Sequence, residues 1–278
     1  MKVTLAKSAG FCFGVKRAID IALQTAASGK EIYALGDIVH NEDVAREIAK
    51  AGIKKIKKLF KGKNKILLIR AHGIGLTALK KAKQLGYKII DATCPMVREI
   101  HKIAKEMEKA GYKIIVIGDK VHDEVKGIVG QLRQKAIVID NLKMIPLSKI
   151  RKIEKAAVVV QSTQNLIKVL EILKVLKRHI KEVRFFNTIC RPTTIKQEEM
   201  KKMPKENDVM IIIGSKTSAN TKRLYEISKS LNERSYRVSS KGEIRPYWFK
   251  GAKCAGITAG ASTPEATIKN IVRYLSSL

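Results

Sequence analysis

A threefold repeat constrains this chain more than any other feature. Cys12, Cys94 and Cys190 each close a short apolar run and open a helix-like segment. The runs are Val3-Thr4-Leu5-Ala6, Tyr87-Lys88-Ile89-Ile90 and Val183-Arg184-Phe185-Phe186. Gly36, Gly118 and Gly214 each follow their cysteine by 24 residues. His40, His122 and Ser218 follow by 28, and Glu42, Glu124 and Asn220 by 30. A further strand with a polar turn completes each repeat: Leu67 to Gly73, Val158 to Thr163 and Gly256 to Ser262. Chance could match one spacing; agreement at several offsets in three segments points to internal triplication.

The repeat sets the domain expectation. A chain of 278 residues is near the limit of one hydrophobic core. Three smaller α/β units are therefore predicted, over residues 1–93, 94–189 and 190–278. Apolar runs such as Ile66–Ile69, Ala156–Val160 and Asp208–Ile213 read as strands. Val15–Ala26, Val97–Ala110 and Asn165–His179 read as helices. Strands alternating with helices imply parallel sheets covered by helices. Lys54–Lys65 reads as a basic connector, Cys254 as a core residue, and His101 and His179 as helix-surface residues.

In open α/β sheets ligands bind beyond the carboxyl ends of strands, and the polar turns fall at such ends. Three units facing a common centre would bring the three cysteines together. A helix N-terminus favours the thiolate, the form that binds metal. Close ferredoxin spacing and paired C-x-x-C motifs are both absent. Three converging thiolates can hold three irons of a 4Fe-4S cluster and leave the fourth iron open, as a Lewis acid and an electron conduit. A zinc ion on the same thiolates, or three buried core thiols, are the alternatives.

His40, His72 and His122 follow strands in similar turns. With Ser218, Asn220 and Ser262 as neutral donors they form a candidate anion cradle that lacks a Walker loop. Glu124 is the candidate general acid, provided that partial desolvation raises its pKa. Glu42 holds the same offset, so position alone does not choose between them. Ser162 and Thr163 could orient a substrate hydroxyl; the alternative is a helix cap before Asn165.

A formal charge of +31 raises a second class of reading, a basic nucleic-acid-binding protein with a structural metal. The lysines are scattered, however, without a stripe of interleaved aromatics. The charge also suits acidic protein partners and anionic substrates. No apolar stretch approaches the roughly 18 residues of a membrane span. Lys7 interrupts the N-terminal run, which does not read as a signal peptide. The expected compartment is a reducing cytoplasm, where cysteines serve metal or catalysis sooner than disulfides.

The local motifs carry a family resemblance. Ala9-Gly10-Phe11-Cys12-Phe13-Gly14-Val15, Arg70-Ala71-His72-Gly73, Asp91-Ala92-Thr93-Cys94-Pro95, Gly214-Ser215-Lys216 with Asn220, and Thr258-Ala259-Gly260-Ala261-Ser262 resemble the LytB-type reductases. These act on 4-hydroxy-3-methylbut-2-enyl diphosphate, at the end of the non-mevalonate isoprenoid pathway. The resemblance spans essentially the whole chain. It implies a trefoil of three pseudo-symmetric α/β domains around a 4Fe-4S cluster held by Cys12, Cys94 and Cys190. It implies reductive dehydroxylation to isopentenyl and dimethylallyl diphosphate, with two electrons and two protons entering and water leaving. His40, His72, His122, Ser218, Asn220 and Ser262 would hold the diphosphate, Glu124 would supply the proton, and Ser162 or Thr163 would orient the hydroxyl. Four positions depart from the family: Ser162 where Thr is common, Ala219 where a second Ser is common, and Arg191-Pro192 after Cys190. No G-x-G-x-x-G fingerprint is present, so electrons come from outside, with small acidic ferredoxins or flavodoxins as the expected donors. A hydro-lyase using the open iron without net electron transfer is a third reading. No nucleic acid and no membrane is required.

Overall fold

A computed structural model describes residues 1–278. In chain order the first stretch runs β1 (Lys2–Leu5), α1 (Phe13–Ala26), β2 (Ile32–Leu35), α2 (Glu42–Lys50), β3 (Ile53–Ile56), β4 (Ile66–Ile69), α3 (Leu76–Gln84) and β5 (Lys88–Asp91). The next runs α4 (Pro95–Lys109), β6 (Lys113–Ile117), α5 (Asp123–Val129), β7 (Ile137–Ile139), α6 (Leu147–Ile150), β8 (Lys155–Val160), α7 (Leu166–His179) and β9 (Glu182–Phe185). The last runs α8 (Arg191–Glu206), β10 (Val209–Ile213), α9 (Ala219–Leu231), β11 (Ser235–Val238), β12 (Cys254–Ala259) and α10 (Glu265–Ser276).

The strands form three four-stranded sheets, ordered β3-β2-β4-β5, β7-β6-β8-β9 and β11-β10-β12-β1. Every pairing is parallel. The three orders are the same pattern, so this is an α/β fold of three equivalent parallel-sheet units. Gly36, Gly118 and Gly214 each follow the strand that starts the pattern, β2, β6 or β10.

The first strand lies elsewhere than the sequence division implies. Lys2–Leu5, assigned to the 1–93 unit, pairs with Cys254–Ile257 and closes the third sheet. Each sheet takes its fourth strand from the run before a cysteine: β5 before Cys94, β9 before Cys190 and β1 before Cys12. Spacing counted forward from each cysteine cannot show which sheet the preceding strand joins. Val3 decides it by packing on the third sheet's core with Met1 and Ala9. A second difference is β3, which overlaps the start of the Lys54–Lys65 stretch read as a connector. Ile53 is buried, while Lys54 and Lys55 are exposed on an edge strand and pair with Glu31 and Asp37.

By packing the chain divides into two compact units. A terminal unit comprises Met1–Lys16, Val39–Glu47 and Cys190–Leu278; a middle unit comprises Arg17–Ile38 and Ile48–Ile189. The terminal unit holds the sheet of β1, β10, β11 and β12. Val209, Ile211 and Ile213 face α10 through Ile268, Ile271 and Leu275. The alternating Met210 and Ile212 face Met200, Met203 and Leu224 of α8 and α9. In the middle unit, Ile115 and Ile117 of β6 join Ile172 and Leu176 of α7, while Ile114 and Val116 join Ile100 of α4 and Ile128 of α5. Burial on both faces is what makes these strands almost wholly apolar. It also leaves the turns beyond their carboxyl ends as the places where polar side chains collect.

Candidate functional site

The three repeat cysteines share one local geometry. The carbonyls of Cys12, Cys94 and Cys190 accept the first helical hydrogen bonds, from Lys16, Arg98 and Thr194, at 3.0, 3.0 and 3.1 Å. Each cysteine therefore stands at the N-terminus of α1, α4 or α8, where backbone N–H groups favour the thiolate. Pro95 and Pro192 stand in the first turns of α4 and α8, where a missing N–H costs nothing. Pro192, a departure from the family pattern, thus suits its helix. The Cys94 amide donates to Ala71 at 3.0 Å, and the Cys12 amide to Ala261 at 3.1 Å, tying each cysteine to the turn after its sheet's third strand. All four cysteines are half-buried and unbridged.

In the middle unit, the turn after β8 closes on the first turn of α5. Glu124 is 2% exposed. Its Oε1 accepts the Ser162 amide at 2.6 Å and its Oε2 the Ser162 hydroxyl at 2.8 Å. Burial raises the Glu124 pKa, and the two Ser162 hydrogen bonds oppose it less strongly. The Glu124 amide donates to Nδ1 of His122, which caps α5, at 3.2 Å. That bond places the imidazole hydrogen on Nε2, as a donor. The His72 and His122 rings lie edge to face, with centroids 5.3 Å apart. The Thr163 hydroxyl instead accepts from Gln161 Nε2, at 3.2 Å. Asn165, not Ser162 or Thr163, caps α7, so the capping alternative for that pair falls away. A cavity of about 410 Å³ lies against α5 on the side of β2 and β4, lined by Gly36, Arg70, Gly73, Asp123 and Lys126, among others. The Arg70 guanidinium there bonds Asp123 at 2.6 Å.

In the terminal unit, Ser218 caps α9 and accepts the Thr221 amide at 3.3 Å. Asn220, 4% exposed, has no hydrogen-bond partner for either amide atom. Leaving a buried amide unsatisfied costs about 1–3 kcal/mol, so it marks a place for a polar ligand. Ser262 donates to the His40 carbonyl at 2.9 Å, and its hydroxyl must rotate before it can donate elsewhere. The repeat slips here by one residue: Asn41 takes the capping bonds from Asp43 and Val44, which leaves the His40 ring outside the cap. Glu42 is exposed and accepts from Ser215 at 2.7 Å. Burial therefore separates the two glutamates that spacing could not.

Two readings change. His101, expected on the surface of a helix, is 7% exposed. Burial pushes its pKa down to about 4, and Nε2 has no partner. It belongs to the buried stripe Val97, Ile100, His101, Ala104 on α4, a periodicity visible in the sequence. It packs behind the His72-Gly73 turn, where a Cβ on Gly73 would meet its Cε1 at 2.6 Å. Cys254, read as core, is half-buried at the start of β12, with Sγ 3.5 Å from Asp208 Oδ2. It caps no helix. Sequence reasoning also missed Thr193, whose hydroxyl lies 3.1 Å from Cys190 Sγ, and Lys196, 2% exposed on α8.

Residues 3–276 match the family described as LytB protein. The 4-hydroxy-3-methylbut-2-enyl diphosphate reductase of Campylobacter fetus is 42% identical, over 100% of this chain and 98% of that protein. That of Aquifex aeolicus is 39% identical, over 97% and 94%. A solved structure of (E)-4-hydroxy-3-methyl-but-2-enyl diphosphate reductase, described as the terminal enzyme of the non-mevalonate pathway, covers 100% of both chains at 38% identity and a TM-score of 0.73. The E-1-hydroxy-2-methyl-but-2-enyl-4-diphosphate reductase from Plasmodium falciparum superposes with a TM-score of 0.90 at 29% identity, over 99% of this chain and 88% of that one.

Proposed function

The chain belongs to the LytB family, and from that premise we propose how its own residues carry the family's reaction. The protein is an iron–sulfur oxidoreductase that reduces 4-hydroxy-3-methylbut-2-enyl diphosphate at the end of the non-mevalonate pathway. Isopentenyl and dimethylallyl diphosphate are the products we assign, since an allylic system that loses hydroxide and gains two electrons takes a proton at either of two carbons.

Cys12, Cys94 and Cys190 are the ligands we assign to a 4Fe-4S cluster. The donor set fits: three unbridged thiols at helix N-termini, no C-x-x-C pair, and the buried ammonium of Lys196 on the helix that Cys190 caps. When bound, the cluster supplies electrons and, at an iron without a cysteine, Lewis acidity toward the substrate oxygen.

Glu124 is the acid. Burial keeps its carboxyl protonated to higher pH than an exposed glutamate; the Ser162 amide holds Oε1, and the Ser162 hydroxyl on Oε2 is the group through which a proton can pass to the leaving oxygen. Ser162 supplies the hydroxyl where the family commonly has Thr. Thr163, bound to Gln161, is the second candidate for orienting the substrate hydroxyl. The orphaned Asn220 amide, the Nε2 donor of His122, His40, His72, Ser218 and Ser262 hold the diphosphate. Ala219 lacks the hydroxyl of the second Ser common in the family and contributes only its backbone.

Electrons come from an external donor of ferredoxin or flavodoxin type, attracted as an acidic protein to the +31 chain. No helix is long and apolar enough to cross a membrane. We place the enzyme in the cytoplasm, where thiol ligands stay reduced.

The observation that carries this reading is the buried Glu124 locked to Ser162 in the turn after β8. The experiment is anaerobic turnover of the allylic diphosphate with and without a reductant. Reductant-dependent formation of both isomers supports the reading; product formed without reductant favours the hydro-lyase alternative.

A further inference from the structure

Lys196 is a long cation with 2% of its surface exposed, on the second turn of a helix whose N-terminus is Cys190. Its ammonium has three hydrogens and three carbonyl partners: Ser8, Gly10 at 3.1 Å and Ala259 at 3.2 Å. Two of those carbonyls belong to the loop that delivers Cys12, and the third ends β12. One turn further along α8, Glu199 takes the Ser8 amide at 3.2 Å and the Ser8 hydroxyl. Residues three apart share a helix face. The two side chains therefore grip the Cys12 loop from the helix that Cys190 caps. Burial lowers the Lys196 pKa to about 8, against the opposing pull of Cys12 and Glu199. A buried cation is costly unless negative charge compensates it, and Cys12 and Glu199 are the groups that act on it here.

We propose that Lys196 is a positioning residue for the metal centre: it fixes the Cys12 loop against α8 and sets the electrostatic environment of the Cys12 ligand. This rests on the reading that Cys12 and Cys190 are cluster ligands. A fixed positive charge near a thiolate ligand stabilises the more negative, reduced cluster and so raises its reduction potential. Glu199 offsets part of that charge, so neutralising it acts in the opposite sense.

The test uses the anaerobically loaded full-length protein with Lys196→Gln, Lys196→Arg and Glu199→Gln, read by iron content, electron paramagnetic resonance and midpoint potential. Lys196→Gln is expected to shift the potential negative, Lys196→Arg to restore it toward wild type, and Glu199→Gln to shift it positive. An unchanged potential and spectrum in Lys196→Gln, or equal shifts in the Gln and Arg variants, overturns the proposal. If Lys196→Gln does not fold, Glu199→Gln decides: a positive shift supports the proposal and no shift overturns it. Iron content of Cys12→Ser and Cys190→Ser reports separately on the ligand assignment. Full iron in either removes that assignment and leaves the potentials to be explained otherwise.

Discussion

Glu42 and Glu124 occupy the same offset in two repeats and differ by environment alone. Glu124 is buried with both oxygens on Ser162, while Glu42 is exposed. Glu124→Gln is expected to keep iron and substrate binding and to slow turnover by roughly 10²–10⁴, the usual contribution of a general acid. Glu42→Gln is expected to stay within a few-fold of wild type. Steady-state turnover with iron assays checks both, and equal losses in the two would remove Glu124 from its role. Because burial raises the Glu124 pKa, the acid form persists into the range where exposed glutamates are ionised. Activity should then fall as pH rises through that value. Asn220→Ala removes an amide with no protein partner, so little stability is at stake. KM for the diphosphate should rise by roughly 10–100-fold, the scale of hydrogen bonds to a charged group. Spacing singled out these residues as candidates, because strand-end turns keep their offsets across the repeats. It could not rank the two glutamates, because burial depends on which turn folds over each.

His101 shows what helix-level reasoning can and cannot supply. Its place on the buried stripe of α4 was available from period alone, yet a histidine on a lysine-rich helix reads as solvated. In the fold it packs behind the turn that carries His72. Its folded pKa of about 4 lies below the ordinary 6.5, so the unfolded chain binds the extra proton between those values. The stability it contributes is complete above about pH 6.5 and is lost as pH falls toward 4. Melting temperature should fall less between pH 7 and 5 in His101→Gln than in wild type; parallel curves would show that the ring does not titrate. Gly127 gives a second test. Alanine within a helix is ordinarily favoured over glycine by about 1 kcal/mol. A Cβ at Gly127, however, would lie 2.8 Å from the His72 carbonyl oxygen. Gly127→Ala is therefore expected to lower the melting temperature and raise KM together, whereas a higher melting temperature would mean that the His72 turn yields easily.

For the molecule as a whole, the triplication was legible because three parallel sheets repeat one strand order, and cysteine, glycine and turn recur with it. The closure of the third sheet by β1 was not legible. Lys2 pairs with Cys254 across almost the full length of the chain, and spacing within a repeat carries no information about so distant a partner. The charge was legible as a number but not as a function. With an acidic protein donor, reduction should slow as salt rises, since screening removes the attraction. With a reduced viologen, itself a cation, it should not slow. The central claim concerns the three thiols at helix N-termini and is tested most directly by iron and sulfide per chain in anaerobically prepared Cys12→Ser, Cys94→Ser, Cys190→Ser and Cys254→Ser. Loss of iron in the first three and wild-type iron in the fourth is the predicted result; full iron in any of the three, or loss in Cys254→Ser, would contradict it.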